Sequence, residues 1–497
     1  MKKKHCIIAL VCLLCLGFCI FVLPGLISPA PQEPGLPSVS PVVEAASVGL
    51  NQYDVTLKLN PDAGTLSVTE EIAFSNTTGD TLSSLVVRLW PNAFATENTS
   101  PAATDELYAA AYPEGFSPGS VLLHDVKWNG EQAAYRYLDE AKTVLEIPVD
   151  TLAPMENGKL YIRCVVQLPN CAFRTGYTGD TWMLGNVLPI LSVYENGAWR
   201  QDPYASVGDP FYSECANFSL SLHLPDGYVP VCSVPLEEKE SGLWQGNGAA
   251  IRDVGLCVSP QYKKAAALTG STKVAVYARD EKSAQAALSY AVKALETFEA
   301  LYGEYPYPLY SVCSASFAPG AMEYPCMAVV DEAYFAENQR DTLELIIAHE
   351  TAHQWFYGLV GSDGVNQPWQ DEALCEYALL RYTEINYGQE AFRNLRYYRA
   401  DAPMMERIPG GLTPATPIDY FTSLTDYKTI VYGRGASLLL ALDMFVPGGM
   451  DAFLKSYAAE YAFSIAGRKD FETSLNTFAG KDVTPLLLDY LDTKMNE

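Results

Sequence analysis

The chain has 497 residues, 49% of them hydrophobic, 12% aromatic and 19% charged. At about 150 residues per domain this length predicts two or three domains with room for a sizeable core, and the aromatic content excludes a disordered chain. The 33 basic against 59 acidic side chains leave a net charge of −26. Such a surface repels phosphate backbones and argues against nucleic acid as a partner.

Lys2, Lys3 and Lys4 precede an uncharged run at residues 6–27. As a helix this run spans about 33 Å, the thickness of a bilayer's hydrocarbon core. The small residues at 43–46 lie too far downstream for a typical cleavage site, so 1–27 reads as a signal anchor with its lysines inside. A cleaved signal peptide is the alternative, and on either reading the chain leaves the cytoplasm. Cys6, Cys12, Cys15 and Cys19 read as small lipid-facing residues. Residues 28–46, rich in proline, read as an extended linker.

From residue 47 the texture becomes alternating: YDVTLKLN, LSVTEEIAFSN, LSSLVVRLWP, TVLEIPV, KLYIRCVVQLP and NFSLSLHLPDGY. Period-two apolar residues bounded by turn formers predict strands, and residues 47–268 read as an all-β, sandwich-like domain. Residues 269–497 change character. After one more strand at 273–280 comes an alanine-rich helix over 281–302, stopped by Gly303, and then a strand at 309–317. Asp341 and Glu344 predict a capping pair that starts a helix over 341–360. A second helix covers 371–387 and is closed by Gly388; another begins near Gln389, and four more occupy roughly 435–446, 451–461, 470–478 and 485–494. Eight cysteines lie between Cys164 and Cys375. Cys313 with Cys326 and Cys164 with Cys171 are the short-loop candidates for disulfides, with free buried thiols the alternative. His124 and His223 fall in strands without a partner pattern and read as structural.

The chemistry sits in IIAHETAHQWF, which carries His349, Glu350 and His353. Residues i and i+4 share one helical face, so two imidazoles can point at a single ion. A catalytic zinc site takes three protein ligands and keeps a position for water. Glu372, in PWQDEALCEY after the intervening residues 354–371, supplies the third ligand from the next helix. Glu350 then faces the water position, where a carboxylate accepts and returns a proton. Two histidines four apart also occur by chance, but the added glutamate makes chance a poor account.

These residues resemble the gluzincin zinc aminopeptidases, the membrane alanyl aminopeptidase (aminopeptidase N) family. PGAMEYP at 319–325 is similar to that family's exopeptidase motif, and VYGRGASLL at 431–439 to its tyrosine segment. The resemblance covers residues 50–445. It implies an α+β chain: a β domain followed by a thermolysin-like, mainly helical domain with a small sheet and one zinc ion. It implies Glu323 as the carboxylate that binds a peptide's free α-amino group, with Gly320, Ala321 and Met322 beside the substrate, and Tyr432 as the residue that stabilises the oxyanion. Tyr324 departs from the family's Asn, Asp371 stands in place of Asn, Ala373 in place of Gly and Arg434 in place of Lys. The chain ends at Glu497, where relatives usually continue into a helical domain over the cleft, which implies a more open site. The expected activity is zinc-dependent removal of N-terminal residues from peptides. A zinc endopeptidase with a loosened amine subsite and a non-catalytic extracellular binding protein are the rival readings. Cys375 reads as core and Glu376 as a support of the metal ligands.

Overall fold

The computed structural model describes residues 33–407 and 410–492. The apolar run at 6–27 lies outside these residues; among the described residues no helix is long and apolar enough to cross a membrane.

The alternating segments do form strands. Gln52–Asn60, Thr65–Ser75, Asn157–Gln167 and Ala216–His223 are the centre of an eight-stranded sheet, joined by Glu237–Glu240, Leu243–Ile251, Ser120–Trp128 and Glu131–Gln132. Alternate residues of Gln52–Asn60 are buried, as a strand with one wet face requires. Its inward side shares a core with a four-stranded sheet through Leu85, Val87 and Ile147. That core continues without a break from Val43 to Leu491. His124 and His223 are both on strands and both exposed.

The 28–46 segment is not extended throughout. Pro41–Ala46 (α1) is a short helix: Ser40 caps it, its side chain accepting from Val43 N, and Pro41 presets the first turn. Val43 is buried in the core, and Asn217 Nδ2 donates to the Ser47 carbonyl at 2.9 Å. A proline-rich composition missed this contact because the partner strand lies far along the chain.

The second half is built on a five-stranded sheet ordered Lys263–Thr269, Thr272–Ala278, Leu309–Ala315, Met327–Asp331 and Ala321–Met322. Its central pairs are parallel. The crossover between the first parallel pair is Glu281–Tyr302 (α2), capped by Asp280, whose side chain accepts from Ser283 N at 2.9 Å, and ended by Gly303 at φ 110°. Two further helices carry the candidate site: Arg340–Ala352 (α3) and Trp369–Arg396 (α4), the latter broken at Gly388 (φ 82°) as the sequence predicts.

α3 differs from its expected form at both ends. Asp341 and Glu344 do not cap it. Glu344 is buried and accepts from Lys293 Nζ at 2.9 Å and from Tyr382, which anchors α3 to α2 and α4. The helix stops at His353 rather than continuing to Val360. Gln354 turns its amide into the 324–326 segment, taking Cys326 N at 2.7 Å and donating to the Tyr324 carbonyl at 3.2 Å. Arg252 donates to the Tyr357 carbonyl at 3.0 Å, so the backbone is satisfied without a helix. All eight described cysteines are free and buried.

One buried group opposes the β core. Glu70 is fully buried opposite Val55 and Ile162, with neither carboxylate oxygen partnered. Burial pushes its carboxyl well above the usual range. A raised carboxyl stabilises fully below its unfolded pKa, and that contribution is lost as pH rises through the folded value. Glu70→Leu is therefore expected to stabilise the chain by about 1–3 kcal/mol, more at pH 8 than at pH 5, in denaturant titrations at both pH values.

Candidate metal centre

His349 leaves the last turn of α3, and His353 is the residue that ends it. Their Nε2 atoms face each other at 3.1 Å, and Glu372 Oε2, from the first turn of α4, stands 3.4 Å from each. All three side chains are buried. Donors about 2.0–2.1 Å from a tetrahedral zinc stand about 3.3 Å from one another, so the triangle has the right size.

The outer nitrogens fix the tautomers. His353 Nδ1 lies 2.6 Å from Asp371 Oδ1, and His349 Nδ1 lies 3.3 Å from Glu376 Oε1, an ion-pair contact rather than an aligned hydrogen bond. A carboxylate beside Nδ1 holds the proton there and turns the Nε2 lone pair inward. Two inward lone pairs 3.1 Å apart repel unless a cation or proton lies between them. Glu372 Oε2 is a buried oxygen without a hydrogen-bond partner. Two imidazoles and a carboxylate form a zinc donor set, and the residues present fit that ion.

Charge in the site follows from this crowding. At His349 burial lowers the imidazole pKa, but Glu372 and Glu376 outweigh it and hold the group at about 9. Burial lifts Glu350 to about 7 against the pull of His349 and His353. Burial is outweighed at Glu372, which its two imidazole neighbours hold far below the usual carboxylate range. The protein groups alone therefore call for positive charge at the point where the three ligands meet.

The remaining sequence-predicted residues gather around it. Glu323, Glu350 and His353 offer donor atoms within 4.8 Å of one another, and Glu323 Oε1 and Glu350 Oε2 are buried without hydrogen-bond partners. Burial, and next Asp209, push the Glu323 carboxyl well up. Tyr432 stacks on the His349 ring, centroids 5.7 Å apart and planes 12° from parallel, and Tyr427 meets it edge-on. Gly320 adopts φ 106°, a turn that suits glycine, and leads into Ala321–Met322, the outer strand of the five-stranded sheet. A cavity of about 410 Å³ is lined by Gly320, Ala321, His349, Glu350, Glu376 and Tyr432 among others. Met322 is buried and does not line it; its sulfur accepts from Arg174 Nε at 3.2 Å.

Tyr324 is also turned away from this cavity. Its ring fills a slot against Gly185 and Gly255, where an added Cβ would stand 1.8 Å from its hydroxyl and 2.4 Å from Cγ, and its hydroxyl donates to Asn186 Oδ1 at 3.4 Å. Cys375 is core, its thiol near the Phe356 carbonyl at 3.8 Å. Sequence reasoning missed the orienting role of Asp371, although Asp371 and Cys375 share the α4 face that meets His353. It also missed the roles of Arg174, Asp209, Tyr427 and Arg399.

Residues 286–490 match the Peptidase family M1 domain. The chain is 24% identical over 333 residues to an Aminopeptidase N of Lactococcus lactis subsp. lactis, covering 61% of this chain and 38% of the relative. It is 29% identical over 306 residues to Aminopeptidase M1-B of Oryza sativa subsp. japonica, covering 55% and 34%. The chain thus spans little more than a third of the curated relatives it matches. Its fold is similar to an M1 zinc metallopeptidase from Deinococcus radiodurans, with a TM-score of 0.61, 17% identity and 93% and 96% of the two chains covered. It is also similar to leukotriene A4 hydrolase from Saccharomyces cerevisiae, with a TM-score of 0.63, 15% identity and 90% and 68% covered.

Asp371→Ala removes the group that orients His353. The expected result is a zinc affinity about 10–100-fold weaker, read by competition with a chelator.

Proposed function

We propose that this chain, a gluzincin of peptidase family M1 through its residues 286–490, is a zinc-dependent aminopeptidase that hydrolyses the N-terminal bond of peptides. The observation that carries the reading is the meeting of His349, His353 and Glu372 at one point, with Glu323 and Glu350 beside it. When bound there, zinc supplies a Lewis acid that polarises the scissile carbonyl and makes a bound water acidic near neutral pH.

The chain's own residues do the rest. Glu350 takes the proton of the attacking water through its unpartnered oxygen and delivers it to the leaving nitrogen. The Tyr432 hydroxyl donates to the carbonyl oxygen as negative charge develops on it. Glu323 pairs with the substrate's α-ammonium group and so limits attack to the first peptide bond. Ala321–Met322, as an outer strand, offers unpaired backbone groups to an extended peptide. The endopeptidase reading rested on Tyr324, and its ring lies in the slot between Gly185 and Gly255. A purely binding role would leave the orphaned Glu350 oxygen without purpose.

The test uses the chain from Leu36, so that α1 is kept, on a free aminoacyl chromogenic amide and its N-acetylated twin. Hydrolysis of the free amide alone, abolished by a chelator and restored by zinc, is expected. Equal hydrolysis of both would indicate an endopeptidase. Glu350→Gln is expected to lower turnover by about 10²–10⁴-fold with zinc content unchanged.

We further place the chain outside the cytoplasm, held by the apolar run at 6–27 behind its three lysines. Protease added to intact cells is then expected to degrade the catalytic half; protection would overturn this placement.

A further inference from the structure

Tyr432 is carried on an uncommon piece of backbone. Lys428–Arg434 is a π-helical turn, wider by one residue than an α-helical one, and it runs directly into the α-helix Gly435–Asp443. Such turns are rare and persist where the surrounding structure fixes them. Closing this one to an α-helical turn would rotate Tyr432 by about 100° against the helix that follows. The ring would then leave His349, on which it now stacks with centroids 5.7 Å apart. The place of Tyr432 therefore depends on what keeps the turn open.

Three contacts do so, all of them to the segment 400–406. Gly433 is pressed against Pro403: a Cβ there would stand 2.5 Å from Pro403 Cβ and Cγ and 3.3 Å from the Arg399 carbonyl oxygen. Arg434 is buried; its Nε donates to the Pro403 carbonyl at 3.2 Å and its Nη2 to the Glu406 carbonyl at 2.6 Å. Ser437 Oγ lies 2.9 Å from the Ala400 carbonyl oxygen and 3.1 Å from that of Gly433. A guanidinium presents its donors in a rigid fork, so one side chain spans two carbonyls three residues apart. An apolar side chain of similar length would fill the same space and leave both carbonyls unheld. Tyr432 lines the cavity beside the metal position, and Arg434 does not.

We infer that Arg434 is a positioning residue: with Gly433 seated on Pro403, it latches the π-helical turn to the segment 400–406 and so sets the place of the Tyr432 hydroxyl. What that hydroxyl does rests on the aminopeptidase reading; the latch itself is a matter of backbone geometry. Its effect falls on the charge that develops at the carbonyl oxygen, so it enters kcat rather than the binding of substrate.

The test measures kcat, KM and zinc content of the zinc-loaded chain with the free aminoacyl chromogenic amide. Tyr432→Phe is expected to lower kcat about 10²-fold. Arg434→Met is expected to lower kcat about 10–100-fold, with KM within about twofold and zinc content unchanged. Arg434→Lys keeps a donor for the carbonyls and is expected to stay within about fivefold of the unaltered chain. Added to Tyr432→Phe, Arg434→Met is expected to cost less than about threefold more, because the group it positions is already gone. Gly433→Ala is a second variant whose lesion is steric, and Pro403→Gly added to it is expected to restore kcat to within about fivefold. Crystals of the zinc-loaded Arg434→Met and Gly433→Ala chains read the latch without turnover, and the Tyr432 ring is expected to leave His349 in both. A ring still stacked there, or the same loss of kcat with and without Tyr432→Phe, overturns the latch. A Tyr432→Phe chain as active as the unaltered one overturns the tyrosine's part in the aminopeptidase reading, and the crystals then decide the latch alone.

Discussion

Two imidazole lone pairs held 3.1 Å apart inside a buried shell of carboxylates are the constraint around which this molecule is arranged. Left alone, such a pair repels, and each nearby carboxylate carries its own desolvation cost. The surroundings are built to fix the geometry regardless. The i, i+4 spacing places both rings on one face of α3, and the helix ends on the second of them. Asp371, Glu372 and Glu376 all come from the start of α4, so a single helix supplies a ligand and the supports of both histidines. Arg174 and Arg399 neutralise the outer carboxylates, Asp209 and Glu376, and leave the centre to a divalent cation.

The β half contributes more than bulk. Arg252, from that half, is buried and donates to the Ser213, Tyr357 and Ser464 carbonyls, which ties the segment after α3 to the large sheet. Arg174 holds the sulfur of Met322 and pairs with Asp209, so the strand leading into Glu323 is fixed by side chains from the same half. The Glu323 segment is thus positioned by one half and the metal ligands by the other, across a core that does not divide.

Local signals were legible and long-range ones were not. Period-two apolar residues marked the strands, and the alanine-rich run stopped by Gly303 marked α2 to the residue, because stop signals and alternation act within a few residues of themselves. The three metal ligands were legible because ligand spacing is imposed by helix geometry. The end of α3 was not, since it is decided by Gln354 reaching the 324–326 segment and by Arg252. Glu344 carried the signature of a cap yet found Lys293 and Tyr382 instead, partners that only the packing of three helices brings near. α1 was hidden by Pro41, since a proline suits both a tether and a first helical turn. Arg399 lies in no pattern at all, and its placement depends on tertiary structure alone.

The slot that receives Tyr324 couples positions far apart in the chain. Gly185 and Gly255 leave room for the tyrosine only because neither has a side chain, and Tyr324 adjoins Glu323. A methyl group at either glycine would push the ring, and with it the neighbouring carboxylate, while α3 and α4 kept their ligands in place. Such a change would displace the Glu323 carboxylate and spare the metal ligands. The identity of residue 324 can therefore drift between homologues only in step with those two glycines, and a homologue with asparagine there has no steric need for glycine at either one.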